Sequence, residues 1–198
     1  MRRGVIGALC LLLVACGEPG FRPLAARETI LAFGDSLTEG RGAPPAQSYP
    51  SVLASLSGHP VINGGVSGEL SQAGRARLPG LLAEHRPGLV ILLEGGNDIL
   101  RGTGEAALKA NLAAMIAAVQ GSGAQLLLVA VPRKSLFADG APLYGELAQE
   151  YGLVLDNDTM GELLRSPALK SDAVHLNGEG YRALAERLHR LLQARGAL

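Results

Sequence analysis

The distribution of hydrophobic and polar residues along the chain predicts strands that alternate with helices. Five short stretches rich in Val, Leu and Ile are the candidate strands: Thr29–Phe33, Pro60–Asn63, Leu89–Leu93, Gln125–Val131 and Leu153–Leu155. Three of them are almost continuously apolar, which is typical of parallel strands that are buried on both faces of a sheet.

Apolar residues at helical spacing predict helices between and after these strands. The three clearest stripes lie within Leu78–Leu82, Leu108–Val119 and Tyr181–Leu192. Met115 falls in the second stripe and is expected to fill the core. The alternation predicts one α/β domain, a doubly wound three-layer α/β/α sandwich with about five parallel strands.

Composition supports a single globular domain and excludes some partners. The chain has 198 residues, of which 47% are hydrophobic, and its 18 basic residues balance 18 acidic ones. Because no basic excess is present, we expect no nucleic-acid partner. Tryptophan is absent, which argues against an aromatic platform for stacking sugars or bases.

The N-terminus has the features of an export signal. Two arginines precede the apolar stretch Val5–Val14, which is too short to span a bilayer. The sequence Leu-Val-Ala-Cys that ends at Cys16 resembles the bacterial lipobox. This resemblance implies cleavage before Cys16 and acylation of that cysteine. An ordinary secretory signal, with Cys16 incidental, is the alternative.

If the sequence that ends at Cys16 is a lipobox, it predicts the domain boundaries and the cellular location of the protein. Residues 1–15 are then a lipoprotein signal peptide, residues 16–27 the lipidated cysteine and a tether, and residues 28–198 the folded domain. Cys10 leaves with the peptide, so no disulfide is expected. We expect an exported bacterial lipoprotein anchored by its N-terminal lipid on the periplasmic face. Gly17 favours the outer membrane if the host is Gram-negative.

A serine, a histidine and an aspartate stand where they could form a catalytic relay. Ser36 lies in a Gly-Asp-Ser-Leu turn directly after the first strand. Asp172 precedes His175 by three residues, so its carboxylate can hold Nδ1 and leave Nε2 free as a base. The alternatives are a helix-capping serine and a solvated Asp and His on the surface.

Two further loops could bind an oxyanion. Gly68 follows the second strand and Asn97 the third. Their backbone and side-chain N–H groups, with the amide of Ser36, could stabilise developing negative charge. Carboxyl ends of parallel strands meet at one edge of a sheet, which would bring these residues together. We also expect Asp35 to brace its turn, and Gly34 to permit a tight turn and a close approach of the backbone to a substrate.

Taken in order, these four blocks resemble the SGNH (GDSL) hydrolase family, and most of all its bacterial thioesterase I, lysophospholipase and arylesterase branch. The resemblance covers Thr29 to the C-terminus. It implies a flavodoxin-like sheet, catalysis by Ser36, Asp172 and His175, and an oxyanion hole of Ser36, Gly68 and Asn97. It also implies hydrolysis of short- to medium-chain acyl esters or thioesters without metal or cofactor, and we expect a monomer.

Two segments depart from the pattern of this branch. Leu176 stands where the branch usually has proline after the histidine, which is expected to loosen the loop without removing the base. Pro132–Gly140, expected in the substrate wall, has no recognisable family signature, so the sequence leaves acyl length open.

Other functions remain to be weighed against this one. The G-x-S-x-G elbow of α/β-hydrolases and the G-x-G-x-x-G fingerprint of dinucleotide-binding folds are both missing. A carbohydrate O-deacetylase of the same family would use the same residues. A surface lipoprotein that binds lipid or glycan without catalysis is a further alternative, which the intact set of site residues disfavours.

Overall fold

The computed structural model describes residues 19–133 and 140–198. The strands are β1 (Ile30–Gly34), β2 (Val61–Gly65), β3 (Leu89–Leu93), β4 (Gln125–Val129) and β5 (Val154–Asp156). The helices are α1 (Ser36–Glu39), α2 (Tyr49–Ser57), α3 (Ser71–His85), α4 (Gly96–Arg101), α5 (Glu105–Gly121), α6 (Pro142–Tyr151), α7 (Thr159–Arg165) and α8 (Gly178–Ala194). Cys16 and the predicted signal peptide lie outside the described residues.

All five described strands are parallel and form one sheet in the order β2-β1-β3-β4-β5. This is the flavodoxin-like order of a doubly wound fold, and the direction of winding reverses between β1 and β3. The predicted α/β/α architecture is therefore confirmed. In such folds the crevice at the carboxyl ends of the strands near this reversal is the usual place for a ligand.

Helices on both faces bury the sheet. Helices α2, α7 and α8 pack together on one face, and α3, α5 and α6 pack on the other. Every residue of β1 and β3 is buried as a result, which accounts for their continuous apolar sequence. The predicted stripe of α5 is buried as well, including Met115.

β3 has the predicted bounds, and no end of the other strands differs from the prediction by more than two residues. The apolar run was expected to continue to Val131, but β4 ends at Val129. Its neighbour β5 has only three residues, so the end of β4 has little left to pair with. Ala130 donates its amide to the carbonyl of Asp156, the last residue of β5, and the pairing of β4 with β5 ends there.

The described part of the predicted tether is attached to the domain. The amides of Phe21 and Leu24 donate to the carbonyls of Arg195 and Ala197, each at 2.8 Å. These bonds place the segment beside the end of α8. Within residues 19–133 and 140–198, no helix is long and apolar enough to cross a membrane.

Candidate active site

Ser36 lies at the carboxyl end of β1, where it opens the four-residue helix α1. Asp35 caps this helix, because its Oδ1 accepts a hydrogen bond from the amide of Leu37 at 3.0 Å. The expectation that Asp35 braces the turn is confirmed. The cap fixes the serine on a rigid strand end, and Ser36 is only 8% exposed.

Gly34 permits the tight turn into α1, as expected. A β-carbon at this position would collide with the carbonyl group of Leu93 on β3 and with Oγ1 of Thr38. The neighbouring strand and the first turn of α1 therefore leave no room for a side chain. Glycine here lets the turn that carries Ser36 pack against the sheet.

His175 joins Ser36 to Asp172. Its Nε2 lies 3.1 Å from Oγ of Ser36, a residue 139 positions earlier in the chain. Its Nδ1 lies 2.7 Å from Oδ2 of Asp172. A carboxylate at Nδ1 favours the tautomer with its proton there, which leaves the Nε2 lone pair directed at the serine hydroxyl. The structure thus brings Ser36, His175 and Asp172 within hydrogen-bonding distance in the order that the sequence predicts.

The loop that carries this histidine is anchored by backbone hydrogen bonds and by the packing of Leu176. The amide of Ser171 donates to the carbonyl of His175 at 3.1 Å, and the amide of Asn177 donates to that of Leu169 at 3.0 Å. Leu176 itself is fully buried. Apolar packing and these backbone bonds hold the loop without the rigidity of a proline.

The surroundings of Asp172 favour its ionised form. Partial burial opposes its charge, but hydrogen bonds from the amide of Val174, the ring of His175 and the amide of His175 outweigh that cost. Together they lower the pKa of Asp172 to about 2. Asp172 therefore keeps its negative charge beside the imidazole at neutral pH.

Asn97 lies next to the serine turn, in the first turn of the short helix α4 rather than in a loop. Its Nδ2 donates to Oδ2 of Asp35 at 3.2 Å. Asp35 thus holds Leu37 with one oxygen and Asn97 with the other. A carboxamide has two N–H donors, so the second remains for a ligand in the pocket.

Gly68 lies on the loop after β2 and is held against α4. Its carbonyl accepts a hydrogen bond from Nη2 of Arg101 at 3.3 Å. Its φ of +76° is in the left-handed region, which suits glycine. The Gly68 loop therefore adjoins the helix that carries Asn97, but Gly68 does not line the pocket described next.

A pocket of about 180 Å³ opens beside these side chains. Ser36, Asn97 and His175 line one part of it. The remainder is largely apolar and comes from α4, α7 and the segments after β4 and before α8; its apolar members include Ile99, Leu100, Val131, Pro132, Leu164 and Val174. Of the expected substrate wall Pro132–Gly140, residues 134–139 lie outside the described part of the chain.

Three buried carboxylates hold the loops around this pocket. Asp35 holds the Ser36 turn, and Asp98 accepts hydrogen bonds from the amide and the hydroxyl of Ser71 at the start of α3. Glu69, next to Gly68, forms an ion pair of 2.6 Å with Arg77. Sequence reasoning did not identify Asp98 or Glu69, since their partners are distant in the chain.

Glu94 is a fourth carboxyl group in this region and has a different environment. It is fully buried at the end of β3, and neither carboxylate oxygen has a hydrogen-bond partner among the described residues. Burial, together with the charges of Asp35, Glu69 and Asp98, raises its pKa to about 9. Burial also raises the pKa of Asp35, to about 6. Glu94 is therefore neutral at pH 7.

Replacing Glu94 by glutamine is expected to increase stability relative to the wild type as pH rises. The folded protein holds the Glu94 proton up to about pH 9, whereas the unfolded chain releases it near pH 4.5. The wild type thus loses up to about 1.4 kcal/mol per pH unit from this group within that window, and E94Q does not. Urea unfolding at pH 5, 7 and 9 measures the difference.

A matched control is Glu84→Gln, since Glu84 is an exposed carboxylate on α3. Its free energy of unfolding should follow the wild type at every pH. Curves for E94Q that run parallel to the wild type would show that Glu94 is already ionised in the folded protein.

Comparison with known proteins gives a family. The model of the GDSL-like Lipase/Acylhydrolase family matches residues 32–183. Esterase TesA of Pseudomonas aeruginosa is 37% identical over 134 residues, which are 65% of this chain and 64% of the relative. The chain thus matches slightly less than two thirds of that relative's length.

Longer matches agree with this one. Thioesterase 1/protease 1/lysophospholipase L1 of Escherichia coli K12 is 30% identical over 177 residues, which cover 85% of each chain. A crystal structure of TesA superposes with a TM-score of 0.75 at 29% identity, and the match covers 84% of this chain and 99% of that one. The matched family model spans the Ser36 turn, the Asn97 helix and the His175 loop, so this chain belongs to the GDSL-like lipase/acylhydrolase family.

Proposed function

We propose that this protein is a serine hydrolase that cleaves short- to medium-chain acyl esters and thioesters through an acyl-enzyme on Ser36. The observation that carries the proposal is the 3.1 Å approach of His175 Nε2 to Ser36 Oγ at the pocket, with Asp172 on the far side of the imidazole. A serine hydroxyl becomes an effective nucleophile when such a base accepts its proton.

The first half of the reaction forms the acyl-enzyme. His175 accepts the proton of Ser36 as the hydroxyl oxygen attacks the carbonyl carbon of the substrate. Asp172, which stays ionised, stabilises the imidazolium and fixes its orientation. The imidazolium then donates its proton to the departing alcohol or thiol, and the acyl group remains bonded to Oγ.

The negative charge of the tetrahedral intermediate needs preorganised donors. We assign these to the amides of Ser36 and Gly68 and to the side chain of Asn97. Asp35 supports this assignment because it fixes Asn97 through one N–H and leaves the other unused. Donors that are fixed before the reaction need no reorganisation when the charge develops.

The second half of the reaction releases the acid. A water molecule takes the place of the leaving group. His175 removes a proton from this water as the water oxygen attacks the carbonyl carbon of the acyl-enzyme. A second oxyanion forms in the same hole and collapses as Ser36 Oγ leaves, protonated by His175. The cycle needs no group beyond these side chains and water.

The substrate class follows from the pocket and from the relatives. Relatives of 30 to 38% identity are named as esterase, arylesterase and thioesterase/lysophospholipase. The pocket is largely apolar, which suits an acyl chain, and its volume of about 180 Å³ is smaller than the roughly 300–1,000 Å³ of pockets for drug-sized ligands. We propose short to medium acyl groups, with activity declining for long chains, and a monomeric enzyme.

Labelling with a fluorophosphonate tests the serine assignment. The purified protein should hydrolyse p-nitrophenyl butyrate, and labelling should abolish this activity in step with modification of Ser36. Mass spectrometry of the labelled protein locates the modified residue. Modification of any other serine, or activity that persists at full labelling, would reject the assignment.

We also propose that the mature protein is a lipoprotein anchored through Cys16 on the periplasmic side of a bacterial membrane, the outer one if the host is Gram-negative. The lipobox-like sequence that ends at Cys16 supports this. Several acyl chains on one cysteine give a stable anchor, since each buried CH₂ adds about 0.8 kcal/mol.

Metabolic labelling with palmitate tests the anchor. The wild-type protein should incorporate the label and fractionate with membranes, and Cys16→Ser should do neither. Cys10→Ser is the matched control and should behave as the wild type, because Cys10 lies in the segment that is removed. Label that persists in C16S would contradict the proposal.

A further inference from the structure

The N-terminal segment is fixed to one edge of the sheet, the edge at which the strands begin. The carbonyl and amide of Arg22 bond to the side chain of Gln125, the first residue of β4. The Arg22 guanidinium also forms an ion pair of 2.6 Å with Glu28, two residues before β1. Together with the backbone hydrogen bonds of Phe21 and Leu24, these contacts hold the chain against the domain from Phe21 onward.

The pocket lies at the opposite edge of the sheet, where the strands end. The length of α8 gives the distance between the two edges. This helix begins just after the His175 loop and ends beside Arg195, to which Phe21 is bonded. Its 17 residues correspond to about 26 Å at ~1.5 Å per residue. The fixed N-terminal segment and the catalytic histidine therefore lie at opposite ends of α8.

The chain between Cys16 and this attachment is short. Five residue steps separate Cys16 from Phe21, and five residues span at most about 18 Å when fully extended. An anchor of this length cannot pass around a domain whose radius of gyration is about 16 Å for ~180 residues. The edge at which the strands begin must therefore stay close to the membrane.

We infer that the anchored protein holds its pocket away from the membrane and acts on esters and thioesters that arrive from the aqueous phase, not on lipids of the membrane that carries it. This inference rests on the lipid anchor of the proposed function and specifies the source of its substrate. Lysophospholipids are substrates under this arrangement only as dissolved monomers.

Two exposed arginines are consistent with this orientation. Arg27 lies in the turn before β1, and Arg86 caps the end of α3 just before β3, so both are on the edge that the anchor draws to the membrane. Cations at this position are attracted to anionic lipid headgroups, which would support the same orientation.

The orientation can be measured on vesicles without native lipidation. A protein that starts at Cys16 has this residue as its sole thiol, because the chain has two cysteines and Cys10 is absent. We would couple it through Cys16 to a maleimide lipid in phosphatidylcholine vesicles that contain an acceptor dye on headgroups. A donor dye is placed as a non-natural amino acid either at Glu84, at the end of α3, or at Glu105, at the start of α5.

Energy transfer to the headgroup dye should be strong from position 84 and several-fold weaker from position 105. Both residues are exposed and lie at opposite edges of the sheet, so each is the control for the other. Equal transfer from the two positions, or stronger transfer from position 105, would overturn the inferred orientation. This measurement does not depend on catalysis.

The consequence for substrate is measured on the same vesicles. The coupled protein should hydrolyse a soluble fluorogenic butyrate ester as fast as the free protein. A second substrate is a two-chain lipid that carries the same ester on its headgroup. The coupled protein should hydrolyse this lipid no faster in the vesicles to which the protein is attached than in vesicles without protein. Faster hydrolysis within its own vesicles would overturn the inference, whereas failure of the free protein on the soluble ester would overturn the proposed function instead.

Discussion

Ser36→Ala is expected to lower kcat for p-nitrophenyl butyrate by roughly 10⁴- to 10⁶-fold, with little change in KM. Alanine removes the oxygen that forms the acyl-enzyme but leaves the pocket and the oxyanion donors in place. His175→Ala should have a similar effect, because the hydroxyl then has no base at 3.1 Å to accept its proton. Steady-state kinetics, extended to long reaction times for the weakest variants, measure both.

The two replacements should not be additive. Serine and histidine act as one unit, so once either is lost the other contributes nothing further, and the double variant should be as active as each single one. Ser55→Ala, on the exposed side of α2, is the matched control and should keep full activity. Additive losses, or a Ser36→Ala protein that retains a tenth of its activity, would require a different nucleophile.

The sheet could be predicted closely because its strands carry their own signal. β1 and β3 are continuous apolar runs, and burial on both faces requires such runs. The end of β4 could not be predicted in the same way, because Ala130 and Val131 are as apolar as the strand before them. What ends β4 is the shortness of its neighbour β5, a property of another segment.

The residues of the site could be predicted from the sequence, but the contacts that hold them in place could not. Ser36, Asn97 and His175 follow strands or precede a helix, and the topology of a parallel sheet brings such positions to one edge. Asp35, in contrast, was expected only to brace its own turn. Its bond to Asn97 joins residues 62 positions apart and depends on how the fold places the start of α4 beside the serine turn.

Glu94 shows the clearest limit of sequence reasoning. A glutamate directly after an apolar strand and before two glycines reads as a polar residue at a solvated loop. In the structure it is fully buried, and its carboxyl group is left without a hydrogen-bond partner among the described residues. Its burial raises its pKa first, and the nearby charges of Asp35, Glu69 and Asp98 raise it further; both causes depend on the folded arrangement of the chain.

Asn97→Ala is expected to lower kcat by about 10²- to 10³-fold while KM changes little, because one oxyanion donor is removed. The donor acts on charge that is present in the transition state and absent from the bound ester, so the loss should fall on kcat. The same fractional loss is expected for acetyl and butyryl esters, since both develop the same oxyanion.

Asn111→Ala provides the control for the loss of a carboxamide. Asn111 also donates its Nδ2 to one side chain, Oγ of Ser71, at 3.0 Å, but it lies on α5 away from the pocket. Its replacement removes a comparable hydrogen bond without touching the oxyanion hole and should leave kcat within a few-fold of the wild type. If Asn97→Ala instead raised KM at constant kcat, Asn97 would bind the ground state of the substrate, and the hole would have to be assigned to the amides of Ser36 and Gly68 alone.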